Sequence, residues 1–333
     1  MGLNRFCCSG RIYGAMKIGL SLPLSYLLEP DTGAAQHEFF KWVGEPQAFL
    51  AELRQHGVQT VELQGIAPGF ADPAALAAMK RLDAAGMGFT VHSHLPQNVG
   101  DPAIGNGVFP DLATPPLPDL RAFMTARSAR PVMVVHAYAT PDTRYEDLVA
   151  ISVQSLQALI ENLKRHDLPV RVALEINRYI GVTTPGVTYE GLLEIGKHFT
   201  DADLGFCWDM GHTQASILRQ KLPEAPPPEF VARVIHTHIH DLSPEGKTHW
   251  ALRDSCPHLE AGVACLETHG YAGIYNLELY PNRWKPKENV KSALLRSVKR
   301  LQAIHQRLAT EALAKPSVCA SARNPGFRLE SPP

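Results

Sequence analysis

Six short stretches hold most of the side chains able to do chemistry: VHSHLP (91–96), VVHAY (134–138), ALEIN (173–177), CWDMGH (207–212), HTHIHD (236–241) and NLEL (276–279). Together with Glu62 in VEL, they concentrate carboxylates and imidazoles at the far ends of short apolar runs. Such groups serve two chemistries. Imidazole nitrogens and carboxylate oxygens hold divalent cations, and a carboxylate in a suitable environment carries a proton. A lysine-dependent Schiff-base reaction is disfavoured, because no lysine lies at one of these run ends.

The apolar runs that must position these residues number eight: Ile18–Leu22, Thr60–Leu63, Gly88–His92, Val132–His136, Val170–Glu175, Leu204–Asp209, Val234–His238 and Ile274–Leu279. Short, β-branched and bounded by turn residues, they read as strands. Segments of helical period lie between them, among them Pro46–His56, Pro73–Ala85, Tyr145–Lys164, Thr188–His198, Leu259–His269 and Lys287–Leu308. Gly57, Gly86 and Gly270 follow the last periodic residue of three of these, where helices commonly stop. Strand starts about 37 residues apart are the spacing of parallel βα units. Eight units make a single-domain α/β protein, a (β/α)8 TIM barrel over residues 16–310. A doubly wound open sheet is the alternative, but no GxGxxG or GxxxxGK[ST] turn is present. Residues 1–15 read as an N-terminal extension and 311–333 as a disordered tail. The segments Pro96–Pro118 and Leu222–Pro228 read as surface connections or a pocket wall.

In such a barrel the site lies at the C-terminal ends of the strands. Strand alternation places Val172, Leu174 and Ile176 under the helices and turns Ala173, Glu175 and Asn177 inward. By the same rule Cys207 and Asp209 face inward opposite Phe206 and Trp208, and Glu278 faces inward between Leu277 and Leu279. Three inward carboxylates repel, and no lysine or arginine stands at a matching strand end to neutralise them. A divalent cation is the simplest compensator, with His238 on the adjoining strand as nitrogen ligand. The predicted metal site is therefore Glu175, Asp209, His238 and Glu278. Glu62 reads equally as a hydrogen-bonded structural residue, and His236 and His240 as lining of the barrel or its rim. Tyr138, Asn177 and Tyr280 lie where either substrate contact or rim packing is expected.

Composition limits the functions open to this site. Of 333 residues, 45% are hydrophobic and 20% charged, which excludes a disordered chain and a coiled coil. With 32 Lys+Arg against 33 Asp+Glu, the net charge of −1 gives no general attraction to phosphate backbones or anionic lipids, which argues against a nucleic-acid partner. Six cysteines without a CxxC pair point to a reducing, cytoplasmic setting. No apolar run is long enough to span a bilayer, and the first fifteen residues lack the apolar core of a signal peptide.

The HxH at His92, then VVHAY, LEIN, CWDMGH, HTHIHD and NLEL, in that order over about residues 16–310, resemble the xylose isomerase-like barrel superfamily. That superfamily holds sugar isomerases and epimerases and the metal-dependent apurinic endonucleases of family 2. For the first branch the resemblance implies one Zn, Mn, Mg or Co ion on Glu175, Asp209, His238 and Glu278. The two glutamates, Glu175 and Glu278, would be the catalytic residues, moving a proton next to a carbonyl through a metal-stabilised ene-diolate. It also implies His212 and His92 as substrate-binding residues. Arg253 enters as a hydroxyl or phosphate clamp in the loop after strand seven, where Arg253-Asp254-Ser255-Cys256-Pro257 replaces the usual Gly-x-Gly. For the endonuclease branch it implies further metal ligands at His92, His136, His212 and His249, with His92 followed by Asn98 and Gly100. The Asp-x-His pair of that branch reads Lys247-Thr248-His249 here, without its aspartate. The expectation is a metal-dependent isomerase or epimerase of a small sugar, sugar phosphate or hydroxy-keto acid, with a homo-oligomer allowed. A zinc-dependent phosphodiesterase and a metal-free binding barrel are the alternatives.

Overall fold

The computed structural model describes residues 15–28, 38–66, 73–93, 118–125, 130–139, 142–284 and 289–314. Eight parallel strands pair in chain order and close into a barrel: β1 (Lys17–Pro23), β2 (Val58–Ile66), β3 (Gly88–Ser93), β4 (Val132–His136), β5 (Arg171–Glu175), β6 (Leu204–Asp209), β7 (Val234–Ile239) and β8 (Ile274–Leu277). Closure sets Lys17 of β1 opposite Ile274 of β8 and Leu20 opposite Leu277. The expected single-domain (β/α)8 fold is what the chain forms.

Pleat alternation divides the strand residues into two cores. The outward set, including Leu20, Leu63, Leu174, Phe206 and Leu277, is buried beneath helices that contribute Phe49, Leu53, Leu159, Leu192 and Val263. Each such leucine taken fully out of water is worth roughly 1.5–3 kcal/mol, so this belt supplies the main cohesion of the fold. Inside the barrel, Val132, Val134, Ala173 and Cys207 form a small apolar cluster of their own. They precede His136, Glu175 and Asp209 on β4, β5 and β6, so an apolar floor underlies the polar mouth.

Two strands differ from expectation by more than one residue at an end. β2 extends to Ile66 and pairs with both neighbours as far as Gln64, which puts Gln64 among the inward polar residues. β8 ends at Leu277 rather than Leu279. The backbone N–H of Glu278 still bonds to the Ile239 carbonyl on β7, but pairing with β1 ends at Leu20, and Tyr280 N–H turns to the carbonyl of His249. The chain thus leaves the ladder one residue before the carboxylate it must present.

Helix ends follow local chemistry. Gly57 and Gly270 take positive φ, +83° and +73°, where a Cβ would be strained. The final helix, Val290–Ala314, runs four residues beyond the expected boundary at 310. Residues 1–14 and 315–333, most of the Pro96–Pro118 connection, and His94, Asn98 and Gly100 lie outside the described residues. Among the described residues no helix is long and apolar enough to cross a membrane.

Candidate metal centre

Asp209 shows how local structure builds the site. It ends β6 and is the N-cap of the helix Met210–Ile217, accepting the backbone N–H of His212 at 2.6 Å through Oδ1. Aspartate is a favoured N-cap because it satisfies a helix-start donor, and here the cap leaves Oδ2 3.1 Å from His212 Nδ1. The Asp-x-x-His spacing therefore reflects one helical turn with both side chains at the barrel mouth. Gly211, between them, is required by close approach. A Cβ there would lie 1.9 Å from the His240 ring. Gly211→Ala is expected to lower stability by about 1–3 kcal/mol, read from the denaturant midpoint; an unchanged midpoint would show that His240 moves aside freely.

The four residues predicted as metal ligands converge. Among the described residues, Glu175, Asp209, His238 and Glu278 each offer one atom within 4.8 Å of the others. His238 Nδ1 stands 3.3 Å from Glu175 Oε1, 3.4 Å from Glu278 Oε2 and 3.9 Å from Asp209 Oδ2. Glu175 Oε1, His238 Nδ1 and Glu278 Oε2 are buried and make no hydrogen bond. Buried polar atoms are rarely left so, and three converging on one point form a donor set suited to a cation. The other atoms of the same groups are held. Glu278 Oε1 accepts from Gln64 Nε2 at 3.0 Å and Tyr280 OH at 2.7 Å. Glu175 Oε2 lies 3.1 Å from His92 Nε2 and 2.9 Å from His136 Nε2.

Glu62 settles a question that its type left open. Fully buried, it accepts from Ser21 Oγ at 2.8 Å and Asn276 Nδ2 at 3.1 Å through Oε1. Its Oε2 lies 2.9 Å from His236 Nε2 and 3.1 Å from His238 Nε2. A carboxylate at Nε2 keeps the His238 proton there and turns Nδ1 toward the three carboxylates. His240 plays a parallel part. Its Nδ1 accepts the His249 N–H at 3.0 Å, so Nε2 carries the proton, 3.1 Å from Asp209 Oδ1.

His249 belongs to the mouth as expected, and the backbone holds it there. Its φ of +62° is left-handed, sparsely populated for a non-glycine residue. Its carbonyl accepts from Tyr280 N–H and Trp284 Nε1, at 3.1 and 2.9 Å. The ring stacks on Tyr280 with centroids 4.1 Å apart, and its Nε2 is 3.3 Å from His212 Nε2. His212, His240 and His249 form another group able to hold a cation, as do His92, Glu175 and His238.

The electrostatics follow from burial against partner charge. Burial would raise Glu175 and Glu278, but His238 foremost, with His136 beside the first and His249 beside the second, holds both well below the usual carboxylate range. Burial would lower His238, yet the carboxylates of Glu62, Glu278 and Glu175 push it well above the ordinary imidazole value. His249 goes the other way: burial and the charge of His240 bring it down to about 4, against the pull of Glu278.

Arg253, expected as a substrate clamp, is paired within the loop after β7. Its Nε and Nη2 fork onto Asp241 at 2.7 and 3.0 Å, and Asp241 also accepts Leu242 N–H and Cys256 Sγ–H. The arginine thus braces the loop after β7. Arg253→Ala is expected to cost roughly 1–2 kcal/mol, since Asp241 keeps its backbone donors, and to leave substrate KM unchanged. A tenfold rise in KM would restore the clamp. Residue types alone had not singled out Gln64 or Arg178, and they left Glu62 and Tyr280 open between two roles. For Glu62 the signal is its inward parity with Gln64, but only barrel closure brings it against β7.

The fold and its mouth define a closed (β/α)8 barrel with acidic and histidine side chains at the C-terminal strand ends. The chain belongs to the xylose isomerase-like TIM barrel family, whose profile matches residues 50–301. An uncharacterised protein of Methanocaldococcus jannaschii is 26% identical over 156 residues, covering 44% of this chain and 50% of that protein. The match thus spans about half of that relative's length. Among solved structures, a D-tagatose 3-epimerase-like protein aligns with TM-score 0.59 and 18% identity, covering 90% of this chain and 100% of its own. An L-ribulose 3-epimerase aligns with TM-score 0.55 and 14% identity over 93% and 100%. A sugar phosphate isomerase/epimerase from Parabacteroides distasonis aligns with TM-score 0.54 and 18% identity over 90% and 96%.

Proposed function

We propose that this chain is a metal-dependent isomerase or epimerase of a small sugar-like substrate, working by proton transfer beside a carbonyl. The observation that carries this reading is the matched pair Glu175 and Glu278. Each turns one unbonded, buried oxygen to the common centre and has its other oxygen held by neighbours. The donor set of three carboxylates and one imidazole fits a divalent cation, with Glu175, Asp209, His238 and Glu278 as its holders. Once bound, the ion would offset their mutual repulsion and polarise the substrate carbonyl, acidifying the neighbouring C–H. Glu175 takes the proton from one side of that carbon and Glu278 returns one from the other. Tyr280 and Gln64 hold Glu278 in place by donating to Oε1, and His92 and His136 fix Glu175 through Oε2. His212, oriented by Asp209, stands ready to meet a substrate oxygen. The 3-epimerase names among the structural neighbours supply the first sugars to try.

Incubated in D2O with D-tagatose or L-ribulose and added Mn or Zn, the protein is expected to place deuterium on the carbon beside the carbonyl. A protein that binds metal yet exchanges none of a broad ketose and keto-acid panel would end this reading.

A zinc hydrolase is the second reading, favoured by the additional histidines His92 and His136 on Glu175 and by the cluster His212, His240 and His249. Elemental analysis with anomalous scattering at the Zn and Mn edges separates the two. One ion between Glu175 and Glu278 supports the isomerase, two or three shift weight to hydrolysis, and none in metal-supplemented protein favours a binding barrel.

A further inference from the structure

Arg178 lies three residues past Glu175, so at most about 11 Å of chain separates them. Its guanidinium is half-buried, and among the described residues its one hydrogen bond is long, Nη1 to Thr248 Oγ1 at 3.4 Å. Thr248 is itself buried and precedes His249. Arg283 sets its exposed guanidinium 4.8 Å from the centroid of the Tyr280 ring, the ring that stacks on His249 and bonds to Glu278. Both cations thus border the Thr248–His249–Tyr280 rim of the centre. Among the described residues neither has a carboxylate partner within ion-pair distance, in contrast with Arg144, Arg233, Arg253, Arg300 and Arg307. A third arginine, Arg219, donates to the Tyr179 carbonyl at 2.7 Å and pins the loop that carries Arg178.

We propose that Arg178 and Arg283 recognise an anionic group on the substrate, a phosphoryl or carboxylate end held at the rim while the reacting carbon sits over Glu175 and Glu278. This rests on reading the centre as a sugar isomerase or epimerase. The guanidinium fork matches both oxyanions geometrically, and Thr248 Oγ1 adds a polar group beside it. Burial, with Arg283 and Arg219 nearby, disfavours the charged form of Arg178 against a smaller opposing pull from Asp209. An oxyanion would remove that penalty.

The test is calorimetric binding of D-fructose 6-phosphate, D-gluconate and D-fructose to the metal-loaded full chain, repeated in Glu175→Gln, which keeps both arginines. At least one of the two anions is expected to bind tenfold or more tighter than fructose, and the anion that does so identifies the group. Arg178→Gln with Arg283→Gln should bring that preference to within twofold while fructose affinity stays constant. Arg54→Gln, at the other end of the barrel, should leave it intact. Equal affinity for all three ligands in the wild type, or a preference that survives loss of both arginines, would overturn the proposal. Binding is read apart from turnover. A protein that epimerises neutral ketoses without anion preference defeats this inference alone, and one with arginine-dependent preference but no proton exchange defeats the activity alone.

Discussion

Glu175→Gln is expected to lower solvent deuterium incorporation into substrate by about 10²–10⁴-fold, the usual contribution of a positioned general base, with the barrel intact by circular dichroism. The amide keeps the shape of the side chain and an oxygen for His92 or His136, but it cannot take a proton at neutral pH. The loss is therefore chemical rather than steric. Glu175 is nearly fully buried and flanked by His92, His136, His212 and His238. Removing its charge also weakens the hold on a cation, so the assay is run at saturating metal to isolate the proton-transfer effect. Exchange at the wild-type rate under those conditions would take Glu175 out of that role.

Glu62→Gln should act on the same centre without touching it. The carboxylate accepts at both oxygens, from Ser21 and Asn276 on one and from His236 and His238 on the other. An amide must turn its NH2 to one of these sides. Turned toward His238, it demands that Nε2 accept, which moves the ring proton to Nδ1, the atom facing Glu175 and Glu278. Turned toward Asn276, it sets one donor against another. Loss of such an outer partner commonly weakens metal binding 10–100-fold, and that is the expected change in Kd from competition with a chromophoric chelator. Unaltered affinity would mean that the carboxylates alone orient His238.

The strands, their order and the inward parity of Glu175, Asp209, His238 and Glu278 were legible from the chain itself. Apolar alternation with a period of two is a local property, and each strand carries its own copy of it. The Asp209–His212 pair was legible for the same reason, since a capped first turn links residues three apart. The extra histidines could be named from the motifs, but not their partners. That His92 and His136 share one oxygen of Glu175 depends on the register of three neighbouring strands, β3, β4 and β5. The Arg253–Asp241 pair was not legible either, because the two residues lie twelve positions apart on either side of the loop after β7.

What the sequence determined by itself is therefore the barrel and the set of groups at its mouth, because both follow from periodicity and residue type along short segments. The tertiary structure alone decided which atoms are committed and which are left open. β2 lies five strands from β7 in chain order and three across the closing edge, so the Glu62–His238 contact exists only because β1 pairs with β8. That contact turns Nδ1 into the centre, and among the described residues the loops after β5, β7 and β8 bring no carboxylate within ion-pair distance of Arg178 and Arg283. Such long-range hydrogen bonds have no signature in local spacing, since they join residues 70 and 176 positions apart.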